Sequence, residues 1–207
     1  GVESSKKATE FTEETTELEE DSVKAQKQNE KAQKNNSKVE KAISVIDQIA
    51  AVGLQKGMST IGTGAVMTLQ GQVMISAGSA LLSNPFTAAA GAALVTAGTV
   101  TTNIGLGAIN VGGILSTASF YTLAATKVTK MTIAACNGDL KGVFKNLGAF
   151  ATVCATSVAS CAATMAVGAA TMGVAGPVGT AIASQAAVVP FDAIGGAANM
   201  ALSYEKI

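Results

Sequence analysis

The chain reads as an all-α protein: a charged N-terminal amphipathic helical arm followed by two antiparallel helical hairpins of Gly/Ala-rich apolar helices with heptad-spaced glycines. Three observations carry this reading. Charge is confined to a few stretches, lysines recur at helical spacing in the first of them, and glycines recur every seven residues in the uncharged stretch that follows. Strand is the competing assignment, because Thr, Val and Gly abound, but strict alternation is missing and a seven-residue register argues for helix.

The arm comes first. Residues 1–56 hold nine of the 14 Lys and 11 of the 14 acidic residues. Glu10, Glu13, Glu14, Glu17, Glu19, Glu20 and Asp21 form an acidic block within a polar, Thr/Glu-rich segment, 1–22, whose only large apolar groups are Phe11 and Leu18. Such a segment is expected to be mobile on its own. Residues 23–56 are expected to form an amphipathic helix. Lys24, Lys27, Lys31, Lys34, Lys38 and Lys41 recur at spacings of 3, 4, 3, 4 and 3, which places them in one stripe. Ala25, Ala32, Val39 and Ile46 make a parallel heptad line, strengthened by Ile43, Ile49 and Leu54. One reading of the stripe is a solvated helix face. The other is contact with an acidic partner: anionic headgroups, the acidic block of a neighbouring copy, or a protein partner for the arm.

The first hairpin occupies 57–126, 70 consecutive residues without a charge. About a quarter of ordinary soluble sequence is charged, so something other than water must face much of this stretch. Gly57, Gly64, Gly71 and Gly78 are spaced by seven; after Asn84-Pro85 the series restarts with Gly91, Gly98, Gly105 and Gly112. Asn-Pro is a turn and helix-stop signal, and Pro suits the first turn of a following helix. Two helices over roughly 57–83 and 86–118 are predicted, folded back at 84–85. A helical Gly costs about 1 kcal/mol against Ala, so eight on one phase require that the missing side chains be used for close approach. A seven-residue period keeps that bare stripe on one neighbour with a crossing of about +20°. The eight glycines are therefore the candidate packing and oligomerisation residues, and Val66, Met74, Leu81 and Val95 are expected to point away from them.

Residues 127–145 contain Lys127, Lys130, Asp139, Lys141 and Lys145 and are expected as a basic loop. A second apolar hairpin and tail fill 146–207. Cys154, Cys161 and Gly168 repeat the seven-residue spacing, and Gly173, Gly176-Pro177 and Gly179 predict a bend before a shorter or broken return helix. Asp192, after Pro190, is expected as the N-cap of a last helical turn at 193–204.

Composition excludes much chemistry. There is no His, and the 14 basic residues are all Lys. Without His the common metalloprotease, zinc-hydrolase and triad arrangements are excluded. Without Arg the bidentate fork for phosphate and base edges is missing, and a net charge of zero gives no global pull toward nucleic acid, so no nucleic-acid partner is expected. Cys136, Cys154 and Cys161 form no Cys-x-x-Cys pair and read as small apolar packing groups. Gly62-Thr63-Gly64 and Gly105-Leu106-Gly107 lack the rest of a phosphate-binding motif. Asp139 and Asp192 are isolated acids, and the methionines read as packing groups. No catalytic, metal or cofactor-binding residue is expected, and the chain is not expected to be an enzyme. The sequence from Gly1 carries no secretory-signal pattern.

Helices longer than the roughly 20 residues that span a bilayer core, with small residues on one phase, suit lipid-embedded packing. The arm and the 127–145 island, both Lys-bearing, and Lys206 in the tail would fall on one side of two hairpins, as the positive-inside tendency requires. Gln70, Gln72, Asn103 and Asn110 need partners in such a setting, which favours self-association. In layout, a charged arm followed by small-residue hairpins resembles helical translocators and ejection proteins that build a conduit through a target membrane. The expected function is an oligomeric, membrane-inserting wall of a channel, translocation or ejection conduit, placed in a membrane or in an exported or virion-associated assembly. The alternative is a non-membrane structural subunit of a filament, sheath or virion.

Overall fold

The computed structural model describes residues 2–203, apart from the side chains of 32–36 and 203. Gly1 and the tail with Glu205 and Lys206 lie outside the described residues. Five helices and, among the described residues, no strand make up the chain: α1 Val2–Leu82, α2 Ala88–Cys136, α3 Leu140–Thr171, α4 Gly176–Ala187 and α5 Val189–Ser203. The protein is all-α. It divides into two compact units, Gly1–Ala42 and Ile43–Ile207.

The first unit is the charged part of α1. Segment 1–22 is helical from Val2 onward. Glu, Lys, Gln and Ala are strong helix formers. The threonines join the helix by turning their hydroxyls back: Thr9, Thr12, Thr15 and Thr16 each donate to the carbonyl four residues earlier, at 2.8–2.9 Å. All described side chains of this unit are exposed, including Phe11 and Leu18.

The second unit begins at Ile43 on α1 and is a bundle. Helix α1 stops at Leu82, where Asn84 and Pro85 enter the turn. The Asn84 Oδ1 accepts from the Phe86 amide (3.0 Å), and Thr87 Oγ1 donates to the Leu81 carbonyl (2.8 Å). Pro85 lies in the turn, and α2 starts only at Ala88. Helix α2 then runs well past 118. The stretch 127–145, expected as a basic loop, is helical on both sides of a turn at 137–139. The turn needs a left-handed residue, supplied by Gly138 at φ +71°, and Asp139 caps α3 by accepting from the Gly142 amide at 2.9 Å. Lys127 favours helix because its side chain has a buried partner to reach, described below.

Helix α3 packs on α2, α4 and α5. The return after Thr171 is broken into two pieces. Gly176 at φ +68° opens α4, and Pro190, which lacks an N–H, sits at the second position of α5, where that loss is tolerated. Long polar side chains tie α1 to this second hairpin. Gln55 Nε2 donates to the Asp192 carbonyl and Gln70 Nε2 to the Met172 carbonyl, both at 3.4 Å, and Gln185 Nε2 donates to Thr63 Oγ1 at 2.7 Å. The apolar core is small: Ala50, Ala51, Leu54, Leu123 and Val153, with Met58, Phe150 and Cys154 against it.

Candidate functional site

The glycines of α1 and α2 face one another in strict register. Gly78 meets Gly91, Gly71 meets Gly98, Gly64 meets Gly105 and Gly57 meets Gly112. A β-carbon on Gly71 would stand 2.6 Å from the Gly98 carbonyl oxygen, and one on Gly98 2.6 Å from that of Gly71. The same approach repeats at Gly64 and Gly105, at 2.6 and 2.7 Å, and at Gly78 and Gly91, at 2.7 and 2.6 Å. Backbone touches backbone along the whole seam. The stripe thus lies inside the chain's own hairpin, and a second copy cannot occupy it. Of the residues expected to point away, Val66 is buried against Gly168, and Val95 and Leu81 lie against the seam itself, where β-carbons on Gly78 and Gly91 would meet them.

Around this seam the usual distribution of polarity is reversed. Ser59, Thr63, Gln70, Ser157, Ser160, Thr164, Thr180 and Ser184 are buried, while large aliphatic groups are outside. Ile104, Val111 and Val158 are 54%, 62% and 59% exposed, and Phe86 at the hairpin tip is 97% exposed. The hydroxyls inside are satisfied largely by the helices themselves, as with Ser157 Oγ to the Val153 carbonyl (2.7 Å) and Thr164 Oγ1 to the Cys161 carbonyl (2.6 Å). Burial of small polar residues under an apolar surface is what an apolar surrounding selects.

The charged groups of the bundle gather at one end. Asp47 on α1, Thr126 and Lys127 on α2 and Asn199 on α5 are all buried. Lys127 Nζ donates to Asp47 Oδ2 (3.0 Å) and to Asn199 Oδ1 (2.6 Å); Thr126 Oγ1 donates to Asp47 Oδ1 (2.8 Å); Asn199 Nδ2 donates to Asp47 Oδ2 (3.3 Å). Lys130 Nζ lies 3.9 Å from the same carboxylate. One carboxylate thus binds three helices. Asp192 is not a cap: it lies in the first turn of α5, with Lys56 Nζ at 3.4 Å and a hydrogen bond from Ser160 Oγ at 3.1 Å. Sequence reasoning did not pair Asp47 with Lys127, because the partners stand 80 residues apart.

A second seven-residue series went unread in the sequence. Thr96, Asn103, Asn110 and Thr117 lie two residues before Gly98, Gly105, Gly112 and Ser119, nearly opposite the glycine seam, and all four are exposed. A β-carbon on Gly107 or Gly113, beside the asparagines, would meet nothing within 4 Å. The outer face of α2 therefore carries a polar, small-residue track through an otherwise apolar surface. The candidate lysines of the arm, Lys24, Lys27, Lys31, Lys38 and Lys41, are exposed on the first unit; Lys34 lies on the same helix, its side chain outside the described residues.

Four helical stretches are long and apolar enough to cross a membrane: Ser37–Leu82, Ala88–Cys136, Leu140–Thr171 and Gly176–Leu202. The architecture fits a membrane-spanning helical protein. Among the described residues, no group of His, Cys, Asp or Glu could hold a metal ion. Comparison with protein-family models, curated proteins and solved structures found no match to this chain.

Proposed function

We propose that several copies of the chain insert into a bilayer and associate side by side as the wall of a channel or translocation conduit, with no enzymatic activity. The observation that carries the membrane part is the reversed polarity of the Ile43–Ile207 unit. In water, exposing so many Val, Ile, Leu and Phe side chains would be costly, at roughly 25 cal/mol per Å² of apolar surface. In hydrocarbon the same surface is at home, and most Ser, Thr and Gln side chains inside keep partners, Ser184 Oγ and Gln70 Oε1 being exceptions. Charge placement supports one orientation. Asp47, Lys56, Lys127, Lys130, Lys141 and Lys145 belong to one end of the bundle, while the turns at 83–87 and 172–175 carry no charge and can cross.

The association part rests on the outer track of α2. Asn103 and Asn110 each offer donors and an acceptor that lipid tails cannot satisfy. Bare Gly107 and Gly113 next to them allow a neighbouring helix to come close. A second copy, or water held between several copies, satisfies both features. The test is dye release from liposomes together with flotation after a carbonate wash. Carbonate-resistant flotation with release of a small dye is expected. Filaments that form without lipid, or protein that washes off, would instead assign these faces to contacts in a non-membrane assembly.

A further inference from the structure

The arm has a charge order that the bundle does not use. Glu10, Glu13, Glu17 and Glu20 stand at spacings of 3, 4 and 3, and Lys31, Lys34, Lys38 and Lys41 repeat the same spacings on the same 3.5-residue phase. Helix α1 is continuous through both sets, so they form one face, acidic in its first half and basic in its second. We infer that this face pairs antiparallel with the same face of a second copy. In that alignment Glu10 falls opposite Lys41, Glu13 opposite Lys38, Glu17 opposite Lys34 and Glu20 opposite Lys31, and two-fold symmetry makes each pairing twice.

The heptad line Phe11, Leu18, Ala25, Ala32 and Val39 lies about 100–160° round the helix from these charges, at 100° per residue, so the pairing rests on charge and leaves Phe11 and Leu18 outside it. Near the dyad Lys24 and Lys27 meet like charges, with Asp21 of the second copy within one turn.

Other arrangements do less. A parallel pair in register sets acid on acid and lysine on lysine. Parallel pairs shifted by two or three heptads match charges over a shorter overlap and leave both ends open, which builds filaments rather than a closed pair. The antiparallel pair overlaps from residue 10 to residue 41, about 48 Å at 1.5 Å per residue, and closes on itself.

The test uses the full chain in detergent, with Cys136, Cys154 and Cys161 replaced by Ala. A spin label goes on either Ala25→Cys or Glu3→Cys, and label-to-label distances are measured. The antiparallel pair predicts a distance of about two helix spacings at position 25 and about 68 Å at position 3. Any parallel pair gives equal distances at the two positions and overturns the inference. In about 0.5 M salt the short distance should fall at least about tenfold in population, because these exposed pairs are screened. The quadruple variant Glu10→Lys, Glu13→Lys, Glu17→Lys, Glu20→Lys should lose it, as should Lys31→Glu, Lys34→Glu, Lys38→Glu, Lys41→Glu. An equimolar mixture of the two should regain it. Retention in either variant alone, or no recovery on mixing, contradicts the pairing. These readings are taken without lipid, so they stand apart from whether the bundle inserts.

Discussion

Gly98 and Gly196 are both helical glycines, with opposite surroundings. A β-carbon on Gly98 would press on the Gly71 carbonyl oxygen and the Ile75 amide, and backbone cannot move aside locally. On Gly196 it would meet nothing within 4 Å. Gly98→Ala should therefore destabilise the detergent-solubilised protein by about 1–3 kcal/mol despite the better helix propensity of Ala. Gly196→Ala should stabilise it by about 0.5–1 kcal/mol. Chemical unfolding followed by circular dichroism checks both signs, and two changes of the same sign would refute the packing argument. Asp47 is the other decisive residue. Asp47→Asn leaves Lys127 buried beside a neutral side chain and should cost about 3–5 kcal/mol in the same measurement. Thr126→Val removes one hydrogen bond to that carboxylate and should cost about 1 kcal/mol.

Among the helices, α2 carries two seven-residue series on opposite faces, and they have different work. The glycine series closes the hairpin within one chain; the series Thr96, Asn103, Asn110 and Thr117 faces out. The double variant Asn103→Leu, Asn110→Leu should keep its helical content and its flotation with liposomes, yet lose cross-linked species larger than the arm-paired dimer and lose dye release. Unchanged oligomers would show that the outer track is not the association face. The glycine seam was legible in the sequence because its period matches a helix and its cost demanded a use. Its partner was not, since a period gives a face but not whether that face meets the same chain or another. The 127–145 stretch was misread for a related reason. Lysines suggested solvent, and only the fold brings Asp47 to Lys127 and makes a buried helical position of it. The helix through segment 1–22 was not legible because polar composition argues against a core and says nothing of a helix whose threonines bond their own backbone.

At the scale of the whole molecule, the claim is that the Ile43–Ile207 unit is built for an apolar surrounding. Its charges lie at one end, and from Gly57 the helix α1 continues uncharged to Leu82, about 39 Å at 1.5 Å per residue, longer than the roughly 30 Å hydrocarbon core. The excess is accommodated by tilt or by the hairpin tip with Phe86 reaching the far interface. The most direct test places an environment-sensitive fluorophore on single cysteines in a background lacking the native three. Probes replace exposed Ile104, Val111 or Val158 in one set and buried Ser59 or Ser157 in the other. After mixing with liposomes, the exposed set should shift to the blue and be quenched by quenchers attached to lipid tails, while the buried set should escape them. If the exposed set stays open to a water-soluble quencher and indifferent to lipid, the outer surface does not face hydrocarbon and the membrane account is wrong.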